Sequence, residues 1–237
     1  MANEVMLAIY AMINVIRNKH ERRFLLVALG FITVGVGSWM FHMTLLYEYQ
    51  LLDELPMIYA TCVPYWIVFS FGKSRIDSFK VALQISSAAA ILTAVYLHYR
   101  NPTIHQAGYG FLNLVIVSKS VLLTLDHVYD ERAKKHLWKT LAIGLSSFLM
   151  GYALWNLDIH LCETWRYYRR VVGMPYGFLL EGHAWWHLLT GTGVYYYIVY
   201  LEYLQLFLTG REKEYKFVWG YKWLPRVDLL DEREKIK

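Results

Sequence analysis

Six stretches of this chain stay apolar for about as many residues as a helix needs to cross a bilayer: 24–46, 55–72, 79–98, 108–126, 137–157 and 184–208. A hydrocarbon core roughly 30 Å thick takes about 20 helical residues, and inside it every backbone N–H and C=O must be bonded within the segment. That requirement leaves a bundle of membrane-crossing helices as the expected fold. A seventh apolar run, "EVMLAIYAMINVI" at 4–16, comes first and is short for a span; it reads as the second half of a helix. The fold class is therefore all-α, a polytopic seven-helix bundle whose first helix is short or truncated. Composition agrees. The 237 residues are 57% hydrophobic and 18% charged, against about 25% charged in soluble domains. No loop has room for a soluble domain, so 1–208 is expected to form one membrane domain and 209–237 a tail. No internal repeat or low-complexity segment stands out.

Loop charges set an expected orientation. The net charge of +5 does not call for nucleic acid, because membrane proteins collect Lys and Arg in cytoplasmic loops. The stretches 17–23, 73–80 and 127–139 are rich in Lys and Arg, as is the chain beyond 208, whereas 47–54 has none and 99–107 has only Arg100. This places the tail in the cytosol and the N-terminus on the opposite side. The 158–183 stretch, with Arg166, Arg169 and Arg170, runs against the trend. No basic region precedes the first apolar run, so no cleavable signal peptide is expected. Cys62 and Cys162 are too few for a disulfide framework, and Cys62 reads as a buried thiol.

The same orientation brings several polar residues to the non-cytosolic face. His183 and His187, in "GHAWWHLLTG", are four apart and share one helix face, close enough to grip one transition metal. Alone the pair is weak, since two histidines beside Trp185 and Trp186 also suit a membrane interface, and Ala184 stands where a His-Glu-x-x-His protease has its Glu. His42 approaches the same depth on another helix. Ionisable groups in spans usually face the bundle interior, and a third imidazole completes a three-nitrogen set with one position left for water. That is the pattern of a catalytic zinc site, although iron or copper also accept imidazole. Ser38 lies one turn before His42; serines in membrane helices often bond back to a carbonyl, but beside a metal a hydroxyl can hold an oxyanion. Asp53 and Glu54 fall in or just after the next turn, and Asp53 is the better general base because Glu54 suits a cap for a helix starting near Pro56. Asn156, Asp158, His160 and Glu163 lie at this face too, where capping is the plainer reading and support of the site the alternative. His20, His98, His105, His127 and His136 receive no role.

With these residues in place, "GSWMFHMTLLYEYQLLDELPMIY", "AVYLHYRNPTIHQAGYG", "LWNLDIHLCETW" and "HAWWHLLTG" together resemble the alkaline ceramidase family, in matching order over about residues 2–208. The resemblance implies a seven-helix intramembrane zinc amidohydrolase that cleaves the N-acyl bond of ceramides. It implies His42, His183 and His187 as zinc ligands, Ser38 and Asp53 as catalytic residues, and residence in the endoplasmic reticulum or Golgi. Relatives begin with an acidic, Trp- and Cys-containing segment that binds calcium. This chain opens inside what resembles the first helix, so calcium binding is not expected and Cys162 would lack the partner it resembles.

The expected function is zinc-dependent hydrolysis of a ceramide lipid to a sphingoid base and a fatty acid, with no protein or nucleic-acid partner. A seven-helix lipid-sensing receptor of the progestin and adiponectin receptor type is the alternative, and a non-catalytic membrane scaffold a third. The continuation "LLDELPMIY" favours the ceramidases.

Overall fold

A computed structural model describes residues 2–231. Among these, the chain forms eight α-helices: α1 Ala2–Arg17, α2 Arg23–Thr44, α3 Tyr47–Phe69, α4 Arg75–Tyr99, α5 Pro102–His127, α6 Glu131–His160, α7 Cys162–Val172 and α8 Gly182–Thr209. An antiparallel hairpin of β1 Tyr215–Gly220 and β2 Leu224–Leu229 follows. The fold is all-α apart from this hairpin.

Helix ends follow local chemistry. Ser74, Asn101 and Asp130 cap α4, α5 and α6, each accepting from a backbone N–H of the first turn. Pro102 opens α5, where its missing N–H costs nothing. α2, α4, α5 and α6 are long and apolar enough to cross a membrane, and the 22 residues of α2 reach roughly 33 Å. α4 buries little, turning Ile76, Phe79, Leu83 and Ile91 outward. Such a surface suits lipid, and this is a membrane protein. α8 is the most enclosed helix and lies along α6. There a Cβ on Gly193 would come 2.7 Å from the Gly144 carbonyl oxygen, so the two backbones meet only because both positions lack side chains.

Three details differ from the sequence expectation. First, α3 begins at Tyr47 rather than near 55, so Asp53 and Glu54 lie on the helix and not in a turn. Pro56 looked like a helix start but sits inside α3, and Glu54 therefore caps nothing. Second, the 158–183 stretch contains α7, which buries no residue. Its Arg169 pairs with Glu181 and lies 3.8 Å from Asp158, so one of the cations that broke the loop-charge trend is bound internally. Third, of the segment read as a tail, the hairpin over 215–229 is folded onto the bundle. The Tyr195 hydroxyl donates to the Pro225 carbonyl at 2.6 Å, Tyr196 donates to that of Trp223, and the Leu229 N–H donates to Asn18 Oδ1 at 3.1 Å. Phe217 stacks on His136, and Lys139 Nζ sits 4.2 Å above the Trp219 ring. A lone two-stranded hairpin is marginal in water; these contacts supply what it lacks.

His20, in the α1–α2 loop, closes this junction. Its Nε2 donates to the Val227 carbonyl at 2.9 Å and its ring stacks on Tyr215. Burial, the largest influence, pulls the imidazole below its ordinary value of 6.5; the bond to Val227 opposes this, Arg211 adds to it and Asp228 opposes it. The folded junction thus binds fewer protons than the unfolded chain, and its stability is complete above the ordinary value and is lost as pH falls through the lowered one. Hydrogen-exchange protection of the β2 amides should decline from about pH 7.5 to about pH 5. His20→Gln should flatten that decline; identical pH profiles for the two proteins would contradict this.

Candidate metal centre and active site

The last turns of α2, the early turns of α3 and the first turns of α8 meet at one end of the bundle. Ser38 and His42 project from one face of α2, and His183 and His187 from one face of α8. Asp158, at the end of α6, accepts from the His183 N–H at 3.2 Å, giving the first turn of α8 one of the partners it needs. Of the polar group closing α6, Asp158 is thus a cap, while His160 and Glu163 are exposed.

His42 Nε2 lies 3.2 Å from His183 Nε2 and 3.1 Å from His187 Nε2, and the ligand atoms of all three fall within 4.8 Å of one another. Three imidazole lone pairs facing one point repel unless a cation or proton lies between them. Tetrahedral zinc, bound at about 2.0–2.1 Å, would hold its nitrogens roughly 3.3 Å apart. The observed spacings suit such an ion. His187 is buried, whereas His42 and His183 are half-buried, which leaves an approach from outside.

Asp53 and Ser38 stand beside this trio. Ser38 is almost completely buried, yet its Oγ has no hydrogen bond of full geometry; the group it faces is Asp53. Asp53 also lies within electrostatic reach of His187 and Glu4. Pro56 explains the placement. Lacking an N–H, it leaves the Leu52 carbonyl without its helical donor. That carbonyl presses against Gly37, where a Cβ would collide with its oxygen and lie 2.7 Å from its carbon. The bare Gly37 backbone lets α3 approach α2 directly beside Ser38. Glu54 is turned away: it accepts from the Tyr96 hydroxyl on α4 and from Gln50 Nε2 at 3.1 Å, while its own carbonyl accepts from His105 Nε2 on α5 at 2.7 Å. The turn carrying Asp53 is pinned from two further helices, and His105, assigned no role in the sequence, is one of the pins.

All five residues singled out in the sequence therefore lie at one place. The reading missed Glu4 of α1, whose Oε1 accepts from His187 Nδ1 at 3.3 Å with both side chains buried. An acid inside an otherwise apolar run was the available signal. Trp186 packs against Phe148 and Trp155 of α6.

Comparison with known proteins decides the family. A family model described as Ceramidase matches residues 3–228. The chain belongs to the ceramidase family. It is accordingly an enzyme of the ceramidase amidohydrolase type, and the receptor and scaffold alternatives are set aside. It is 41% identical over 236 residues to alkaline ceramidase YPC1 of Saccharomyces cerevisiae, covering 94% of this chain and 75% of that protein. Identity to alkaline ceramidase 3 of Mus musculus is 35% over 216 residues, covering 90% and 78% respectively. The alkaline ceramidase of Arabidopsis thaliana is 24% identical over 232 residues, covering 95% and 82%.

The close approach at Gly37 makes a specific prediction for this ceramidase-family site. Gly37→Ala must push α3 from α2, at about 1–3 kcal/mol for an overpacked contact. A fall of several degrees in Tm together with lost amidase activity is expected, and a parent-like value of both would show that the contact yields freely.

Proposed function

We propose that this protein hydrolyses the N-acyl amide of a ceramide to a sphingoid base and a free fatty acid, in the membrane, with zinc held by His42, His183 and His187. One observation carries the reading: in a chain of the ceramidase family, three imidazole Nε2 atoms converge beside a buried serine hydroxyl and a carboxylate. When bound, zinc supplies Lewis-acid activation of water and of the amide carbonyl.

The chain's own residues divide the remaining work. Asp53 takes a proton from the attacking water, whose oxygen bonds to the carbonyl carbon. Ser38, whose buried Oγ makes no hydrogen bond of full geometry, donates its hydroxyl hydrogen to the oxygen where negative charge develops. Asp53 then passes its proton to the nitrogen as the C–N bond breaks, releasing the amine and the carboxylic acid. The lipid enters sideways from the bilayer with its amide at the end of α2. Seven helices form the membrane body over 1–208, the hairpin within 209–237 faces the cytosol and the site opens on the opposite face, in the endoplasmic reticulum or Golgi. The run of basic loops supports this orientation.

Fatty-acid release from ceramide by purified protein tests the scheme. Asp53→Asn should lower turnover by roughly 10²–10⁴-fold, the range for general acid–base residues. Ser38→Ala should lower it by about 10²–10³-fold, as loss of one oxyanion donor does. His187→Ala should remove both metal and activity. Ceramide turnover near the parent's in His187→Ala would reject the mechanism.

A further inference from the structure

Glu4 is an acid inside an apolar helix, only 5% exposed, and no step of the proposed reaction uses it. A buried carboxylate persists where it is paired and hydrogen-bonded, and one of the partners of Glu4 is a histidine of the metal centre. Its seat is cut into both helices that carry the imidazoles. On α8, one turn beyond His187, a Cβ on Gly191 would come 2.6 Å from Glu4 Cγ. On α2, one turn before Ser38, a Cβ on Gly35 would lie 2.9 Å from Val5 Cγ2 and 3.4 Å from Glu4 Cβ. Asn3 Nδ2 donates to the Leu188 carbonyl at 3.3 Å, holding the start of α1 against α8. From this seat Glu4 Oε1 accepts the hydrogen of His187 Nδ1 at 3.3 Å.

Building on the zinc centre proposed above, we infer that Glu4 is a positioning residue for it. With the Nδ1 hydrogen committed to the carboxylate, His187 is held in the tautomer whose Nε2 lone pair faces His42 and His183. The negative charge also makes that lone pair more basic. A residue that merely filled space would need neither the charge nor the oxygen at Nδ1, and α1 would need no gaps at Gly35 and Gly191.

Zinc retention under chelator competition reads this out independently of turnover, in purified full-length chain. Glu4→Ala should weaken zinc binding by roughly 10–100-fold, the usual cost of losing a ligand's outer partner. Glu4→Gln, near in shape, should fall between Ala and the parent, because its amide oxygen still accepts but the charge is gone. Gly191→Ala should weaken zinc as Glu4→Ala does without altering any polar group. The d–d absorption of the cobalt(II)-substituted protein should shift in Glu4→Gln, a change that simple packing loss would not cause. Should Glu4→Ala fail to fold, Glu4→Gln and Gly191→Ala decide. Parent-like zinc retention and an unmoved cobalt spectrum in both would overturn the role of Glu4 while leaving the zinc centre standing. If the parent takes up no zinc, the centre and this role fall together.

Discussion

The structure turns on the meeting of three imidazole nitrogens from two helices distant in sequence. Polar groups inside a membrane bundle are costly, and they persist where they satisfy one another or an ion. Here α2 contributes His42 and α8 contributes His183 and His187, so neither helix can slide or rotate without separating them. Much else follows from keeping those two helix ends together. Asp158 holds the first turn of α8, Arg169 braces Asp158 and Glu181, and Glu4 fixes the far side of the His187 ring.

Asp53 shows how a sequence irregularity sets the packing of one helix on another. A proline inside a helix ordinarily weakens it by removing a hydrogen bond. In α3 the freed Leu52 carbonyl is directed onto the bare backbone of Gly37, and the turn between them carries Asp53 to the side of Ser38. The contacts of Glu54 with Tyr96 and Gln50, and of His105 with the Glu54 carbonyl, then hold that turn in place. The adjacent acids Asp53 and Glu54 thus take separate parts, one beside the histidines and one tying α3 to α4 and α5.

At the opposite end of the bundle the hairpin serves packing. Tyr195 and Tyr196 of α8 reach its backbone carbonyls, and His20 and Asn18 meet β2 from the loop after α1. The run of tyrosines in α8 thus includes the anchors for a segment that reads as a tail.

Hydrophobic run length and four-residue spacing were enough to read the helical class, the shared face of His183 and His187, and that of Ser38 with His42, because each depends on the period of a single helix. What lay beyond reach depends on relations between helices. Whether Pro56 starts α3 or lies within it, and so whether Glu54 caps or bridges, rests on where α4 and α5 stand. That Glu4 belongs beside His187 rests on α1 fitting between glycines of α2 and α8. By itself the sequence determined which residues share a helix face and that these helices belong in a bilayer; only tertiary structure decided which faces look at each other, since backbone periodicity is local and the packing of one helix on another is not.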